Sequence, residues 1–212
     1  MNPDIVVIRH ASSGAAHFIA KEIRAGVING GDGQHEHPTQ ALLDLYTMQE
    51  HLGSVEGRKI VIVGDILHSR VARSNVWALK TLGAEVVLVG PPTLLPPEIS
   101  SWGVKISHNL DGELKGADVI MALRLQLERQ EKGLLPSLRE YTQLYGITRE
   151  RVAKTEKPTL IMHPGPINRG VEIESSIVNS AQSVIEEQVT NGVAVRMAVM
   201  YLLMGGTSHV VD

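Results

Sequence analysis

Cysteine is absent from all 212 residues, so disulfides, thiolate metal sites and cysteine nucleophiles are excluded, and a reducing cytoplasm suits such a chain. Aromatic residues make up only 3%, which weakens any base-stacking role. No charge of one sign dominates: a net charge of -3 gives no bulk attraction to nucleic acid. Long hydrophobic runs are also missing. The amino terminus, MNPDIVVIRH, has no basic segment ahead of a long apolar run, so no signal peptide is evident. The longest apolar stretch near the other end, Val193 to Met204, contains Arg196 and is too short to cross a bilayer; a buried core helix is the better reading.

Two glycine-rich signatures are lacking as well. A dinucleotide turn needs three glycines so that backbone can approach a pyrophosphate. Gly64-Asp-Ile-Leu-His-Ser-Arg70 has one, with bulky residues where the others should stand. No glycine-rich loop ends in Gly-Lys-Ser/Thr, so a P-loop is excluded.

What is present is a core-forming chain, 43% hydrophobic and 20% charged, with room for one large domain or two small ones. Short β-branched runs alternate with amphipathic stretches. Ile5–Ile8, Ile60–Val63, Val86–Val89, Val104–Ser107, Val119–Leu123 and Leu160–Met162 read as strands, nearly continuously apolar as in a parallel sheet covered on both faces. A further short strand is possible at Val27–Asn29. Helices are expected at about Gly14–Arg24, Thr39–Leu52, Val71–Leu82, Ser137–Tyr145 and Val184–Leu203. Alternation of this kind predicts an α/β doubly wound parallel sheet with right-handed crossovers. The polar, glycine-bearing link His51–Gly57 marks a domain junction. Residues 57–180 then form a complete domain, residues 181–212 a C-terminal helix packing back on the first, and residues 1–52 an incomplete second α/β domain. With one clear strand and two helices, that first piece cannot bury both faces of a sheet alone. The expectation is that an N-terminal portion is missing; a small lobe completed by a partner chain is the alternative.

In open parallel sheets, ligands bind beyond the carboxyl ends of the strands. Arg9-His10, Gly64-Asp65 with Arg70, Arg124 with Gln126, and His163-Pro-Gly-Pro166 all follow predicted strands. Three arginines and two histidines thus fall on one sheet edge, a pattern suited to small, multiply charged anions. Taken singly, each arginine is as well explained as a surface residue or an ion-pair partner. The densest polar stretch is Gly31-Asp-Gly-Gln-His-Glu-His-Pro-Thr-Gln40. His35 and His37 alone make a weak metal signal. Pro38 instead suits a first helical turn, from whose start His37 and Gln40 would project toward an anion. A helix cap with solvated polar residues is the plainer account.

Ile8-Arg-His10, Gly31-Asp-Gly33 with His37-Pro-Thr-Gln40, Gly64-Asp65 with Ser69-Arg70, Arg124-Leu-Gln126 and His163-Pro-Gly-Pro166 together resemble the aspartate carbamoyltransferases, in that family's order and spacing. The likeness runs through essentially the whole chain. His-Pro-x-Gln is shared with ornithine carbamoyltransferases, but His163-Pro-Gly-Pro166 and the absence of cysteine favour the aspartate branch.

The resemblance implies a transferase that moves the carbamoyl group of carbamoyl phosphate to L-aspartate in pyrimidine biosynthesis, in a cytoplasmic homotrimer with sites shared between subunits. It implies no cofactor, no metal, and neither nucleic-acid nor membrane partners. Carried over by position, Arg9, His37 and Gln40 resemble carbamoyl phosphate ligands, with Arg9 and His37 stabilising the oxyanion and the carbonyls of Gly165 and Pro166 placing the amines. Arg70, Arg124 and Gln126 resemble the aspartate clamp. The family's Ser-Thr-Arg-Thr phosphate cradle and the lysine-bearing loop lent by a neighbouring subunit do not occur here, so the chain alone is expected to be inactive. A non-catalytic anion-binding module of the same fold, or a carbamoyltransferase for another amino acid, are the competing readings.

Overall fold

The computed structural model describes residues 2–126 and 137–205. Stretches 127–136 and 206–212, which fall within the second and third predicted segments, lie outside the described residues. The chain builds two parallel sheets. The smaller pairs β1 (Ile5–His10) with β2 (Gly26–Asp32), Ile5 opposite Gly26 and Ile8 opposite Asn29, connected through α1 (Ala15–Glu22). The tentative strand at Val27–Asn29 is therefore a full seven-residue partner. α2 (Pro38–Leu52) follows, with Pro38 at its first turn, where a missing N–H costs nothing.

The larger sheet contains β3 (Lys59–Val63), β4 (Glu85–Val89), β5 (Lys105–Ser107), β6 (Val119–Ala122) and β7 (Leu160–Met162) in the order β5-β4-β3-β6-β7, parallel throughout. The chain moves outward from β3 in one direction, then resumes on the other side at β6. β3 and β6 are thus neighbours at a topological switch point.

Side-chain alternation splits the core into two layers. Ile60, Ile62 and Met121 pack with Met48 of α2 and with Leu79 of α3 (Arg70–Thr81). Val61, Val63 and Ile120 pack on the opposite face with Leu114 and with Tyr141 of α4 (Leu138–Tyr145). Three short helices, Leu110–Glu113, Arg149–Ala153 and Ser175–Val178, have too few residues to leave a periodic signal and were not expected.

The last helix, Ile185–Leu203, corrects the sequence reading. It packs on α2 and on the end of β7, but only Ile185, Gln188 and Gly192 are buried. Val193 and Met197 are about 60% exposed. It is a half-covered helix rather than a core one, because its second half reaches past the large sheet to the two-stranded one, which offers little surface to bury it. Among the described residues no helix is long and apolar enough to cross a membrane.

Candidate active site

The carboxyl ends of β1, β3, β6 and β7 open on one cavity of about 400 Å³. From the small lobe come Arg9, at the end of β1, and His37 and Gln40, at the start of α2. From the large lobe come Arg70, which opens α3, Arg124 and Gln126 after β6, and Gly165 and Pro166 after β7. Every residue expected to bind substrate lines this one space. His10 and His163, grouped with the arginines in the sequence reading, do not. His10 is exposed and its Nδ1 accepts from Ser12 N at 2.9 Å. His163 is buried beneath the following loop, its Nδ1 accepting from Gly165 N at 2.8 Å.

The polar stretch before α2 is organised by Asp32. Its buried carboxylate accepts from Gly14 N at 2.6 Å, Asn29 Nδ2 at 2.9 Å and Glu36 N at 3.1 Å, and pairs with His35 Nδ1 at 3.1 Å. Burial pushes the Asp32 carboxyl up, but the bonds from Asn29, Gly14, His35 and Glu36 outweigh it and hold it below the usual range. His35 therefore belongs to the turn, and among the described residues no cluster of three metal-ligating side chains exists. The turn leaves His37 facing the cavity, its backbone N–H donating to Ser74 Oγ at 2.9 Å.

The two lobes touch through glycine. Gly31, at φ 115°, approaches Arg70 so closely that a Cβ there would stand 2.7 Å from the guanidinium carbon. Arg70 Nη1 also donates to Gly33 O, at 3.4 Å. Arg9 Nη1 donates to Gly30 O at 3.2 Å.

Sequence reasoning missed one cationic lining residue, Arg196 of the last helix. Nothing in an apolar stretch marks an arginine as a ligand; only folding that helix back over α2 carries it to the cavity. Ser69 lines the cavity too, while its Oγ caps α3 by accepting from Ala72 N at 3.1 Å. Four arginines thus surround one opening. Three of them act on the histidine among them: burial, then the charges of Arg70, Arg9 and Arg196, pull His37 down to about 4. At neutral pH it is an uncharged imidazole with one N–H to give. Thr39 Oγ1 stands 3.4 Å from Nδ1, and a hydroxyl donating there leaves the proton on Nε2. The arrangement suits an anion that also carries a polarisable carbonyl.

Two family models cover the chain: "Aspartate/ornithine carbamoyltransferase, carbamoyl-P binding domain" over residues 1–50 and "Aspartate/ornithine carbamoyltransferase, Asp/Orn binding domain" over residues 56–203. The chain belongs to the aspartate/ornithine carbamoyltransferase family. It is 84% identical to the aspartate carbamoyltransferase catalytic subunit of Desulfitobacterium hafniense, matching all of this chain and 68% of that protein. It is 61% identical to that of Desulforamulus reducens, over 99% of this chain and 67% of the relative.

Among solved structures of the family, ornithine carbamoyltransferase from Pyrococcus furiosus superposes with a TM-score of 0.83 at 29% identity, over 97% of this chain and 68% of its own. Aspartate transcarbamoylase from Trypanosoma cruzi, in complex with N-(phosphonacetyl)-L-aspartic acid, gives 0.81 at 28% identity, over 93% and 65%.

Proposed function

We propose that this chain carries the substrate-binding side chains of an aspartate carbamoyltransferase. The observation that supports the reading best is the single cavity shared by Arg9, His37, Gln40, Arg70, Arg124 and Arg196 at the junction of the lobes. In the reaction, the α-amine of L-aspartate attacks the carbonyl carbon of carbamoyl phosphate. A C–N bond forms, the C–O bond to phosphate breaks, phosphate leaves with the electron pair, and the amine loses a proton. N-carbamoyl-L-aspartate and phosphate are the products, in the route to pyrimidines.

Arg9 and the neutral His37 donate to the carbonyl oxygen, and strengthen their hold as it becomes an oxyanion. Gln40 and the carbonyls of Gly165 and Pro166 receive the amine hydrogens. Arg70 and Arg124, assisted by Gln126, hold the two carboxylates of aspartate. No covalent intermediate on the protein is needed; orientation and fixed charge carry the rate. Two arginines at the acceptor end favour a dicarboxylate over ornithine, whose side-chain ammonium would call for an acidic partner. A cytoplasmic homotrimer belongs to the same proposal, supported by the name "catalytic subunit" of the relatives and the lack of cysteine.

Titrating the chain with N-(phosphonacetyl)-L-aspartic acid, which joins both substrates in one molecule, tests the clamp without requiring turnover. Saturable binding is expected, and Arg70→Ala or Arg124→Ala should weaken it by about 2–4 kcal/mol, the worth of a lost charge-assisted bond. Undiminished affinity in both variants removes these arginines from the site.

A further inference from the structure

Beneath the cavity lies a fully buried carboxylate that none of the steps above uses. Asp44, one helical turn after Gln40 on α2, is 0% exposed. It receives three side-chain amides: Gln40 Nε2 at 3.0 Å and Gln188 Nε2 at 2.8 Å on Oδ1, and Asn75 Nδ2 at 2.8 Å on Oδ2. The donors come from α2, α3 and the last helix, so this one group joins three elements. Two of its bonds lead back to the cavity.

The first is direct. An amide has one donating and one accepting end. With Nε2 of Gln40 committed to Asp44, the oxygen is the end left for a ligand. The second runs further. Gln188, its amide nitrogen held by Asp44, accepts His163 N on Oε1 at 2.9 Å. His163 in turn holds Gly165 N on Nδ1 at 2.8 Å. Asp44 thus stands behind Gln40 and, through Gln188 and His163, behind the Gly165–Pro166 backbone. Those are the groups that receive the carbamoyl –NH2 in the proposed function, on which this inference rests.

We propose that Asp44 is a positioning residue that sets the site's preference for a carbamoyl over an acyl group, by fixing the acceptor oxygens of Gln40 and of the Gly165–Pro166 loop where only an –NH2 can satisfy them. A methyl in place of the amine sets a group that cannot donate against these oxygens, and that mismatch is the source of discrimination. Burial pushes the Asp44 carboxyl up to about 6, against the pull of its three amide donors and of Arg196. It remains predominantly an acceptor at neutral pH, as the geometry requires.

Carbamoyl phosphate and acetyl phosphate differ only in –NH2 against –CH3, and N-(phosphonacetyl)-L-aspartic acid has no terminal –NH2. Affinities of the chain for all three, measured for the parent and for Asp44→Leu, separate positioning from general damage. The expected result is a fall of roughly tenfold in the carbamoyl-over-acetyl preference, with affinity for N-(phosphonacetyl)-L-aspartic acid within about threefold of the parent. An unchanged preference, or equal losses for all three ligands, overturns the proposal. Where Asp44→Leu fails to fold, Asp44→Asn, which keeps one acceptor oxygen, should lower the preference by a smaller factor, about threefold. A parent chain that binds none of the ligands defeats the proposed function rather than this inference. Asp44 is then judged by the side-chain amide resonances of Gln40, which should shift in Asp44→Asn; unmoved signals overturn it.

Discussion

The two sheets solve the same problem with unequal means. In the large lobe Ile60, Ile62, Val87 and Met121 are 0% exposed, the central strands β3, β4 and β6 sealed on both faces. In the small lobe Val7, in the middle of β1, is 61% exposed, and Phe18 of α1 is 64% exposed. Yet each lobe delivers arginine to the cavity at the carboxyl end of its strands. Placing a charged side chain needs a defined strand end and a tight turn; it does not need a deep core. The Asp32 turn shows how the thinner lobe manages, replacing buried apolar area with a carboxylate gathering four polar partners.

The contrast can be broken first at the large sheet. Ile62→Ala should destabilise the chain by about 4 kcal/mol, the lost transfer energy plus an unfilled cavity between well-packed layers, read from urea unfolding. A loss under about 1 kcal/mol would mean that this sheet is not the stabilising unit.

His37 tests what the small lobe contributes. Made in a full-length subunit that carries this sequence, His37→Ala should lower carbamoyl transfer by about 100- to 1000-fold through the missing donor to the oxyanion, with the melting temperature nearly unchanged. A variant that melts early yet transfers normally would show that His37 serves only the helix start.

The seam between the lobes responds to acid. His37 and His163 are each pulled from 6.5 to about 4, His37 by burial and its arginine neighbours, His163 by burial and Arg124. A histidine held neutral contributes stability that is complete above about 6.5 and is lost as pH falls through about 4. Asp44, raised from 3.8 to about 6, acts oppositely: its contribution is complete below about 3.8 and is lost as pH rises through about 6. Two groups against one leave a net loss, on the order of 2 kcal/mol, as pH drops from 7 to 4. Urea midpoints across that range check it, and a flat profile would contradict the burial assigned to the histidines.

The smallest effect belongs to β1. Val7→Ala should change stability by less than about 0.5 kcal/mol, as at other exposed positions. A large change would show that the small lobe is covered in solution.

Much of this was legible beforehand. β-branched runs bounded by glycine and charge marked six of the seven strands among the described residues to within two residues, because a parallel strand packed in a sheet has little choice of composition, and left the seventh, Gly26–Asp32, as a short possibility at Val27–Asn29. Arg9, Arg70 and Arg124 were legible as lining residues because the strand-end rule groups residues far apart in sequence, and His37 because Pro38 marks a helix start from which it projects. Arg196 and Asp44 were not. An arginine in an apolar helix and an aspartate in an amphipathic one look alike whether they face water or the interior. Only the packing of the last helix on α2 decides, and that packing joins positions 144 residues apart, as in the Gln188–Asp44 bond. The exposure of Val193 and Met197 was illegible for the same reason: periodicity reports which faces are apolar, not what stands opposite.

Position 31 is where the two lobes set each other's dimensions. The volume that any other residue's β-carbon would fill is taken by the Arg70 guanidinium. A methyl group added to the small lobe would therefore displace a charge belonging to the large one before it met any substrate. The hydrogen atom at Gly31 acts as a spacer gauge, making the reach of the arginine depend on how closely the neighbouring backbone can lie.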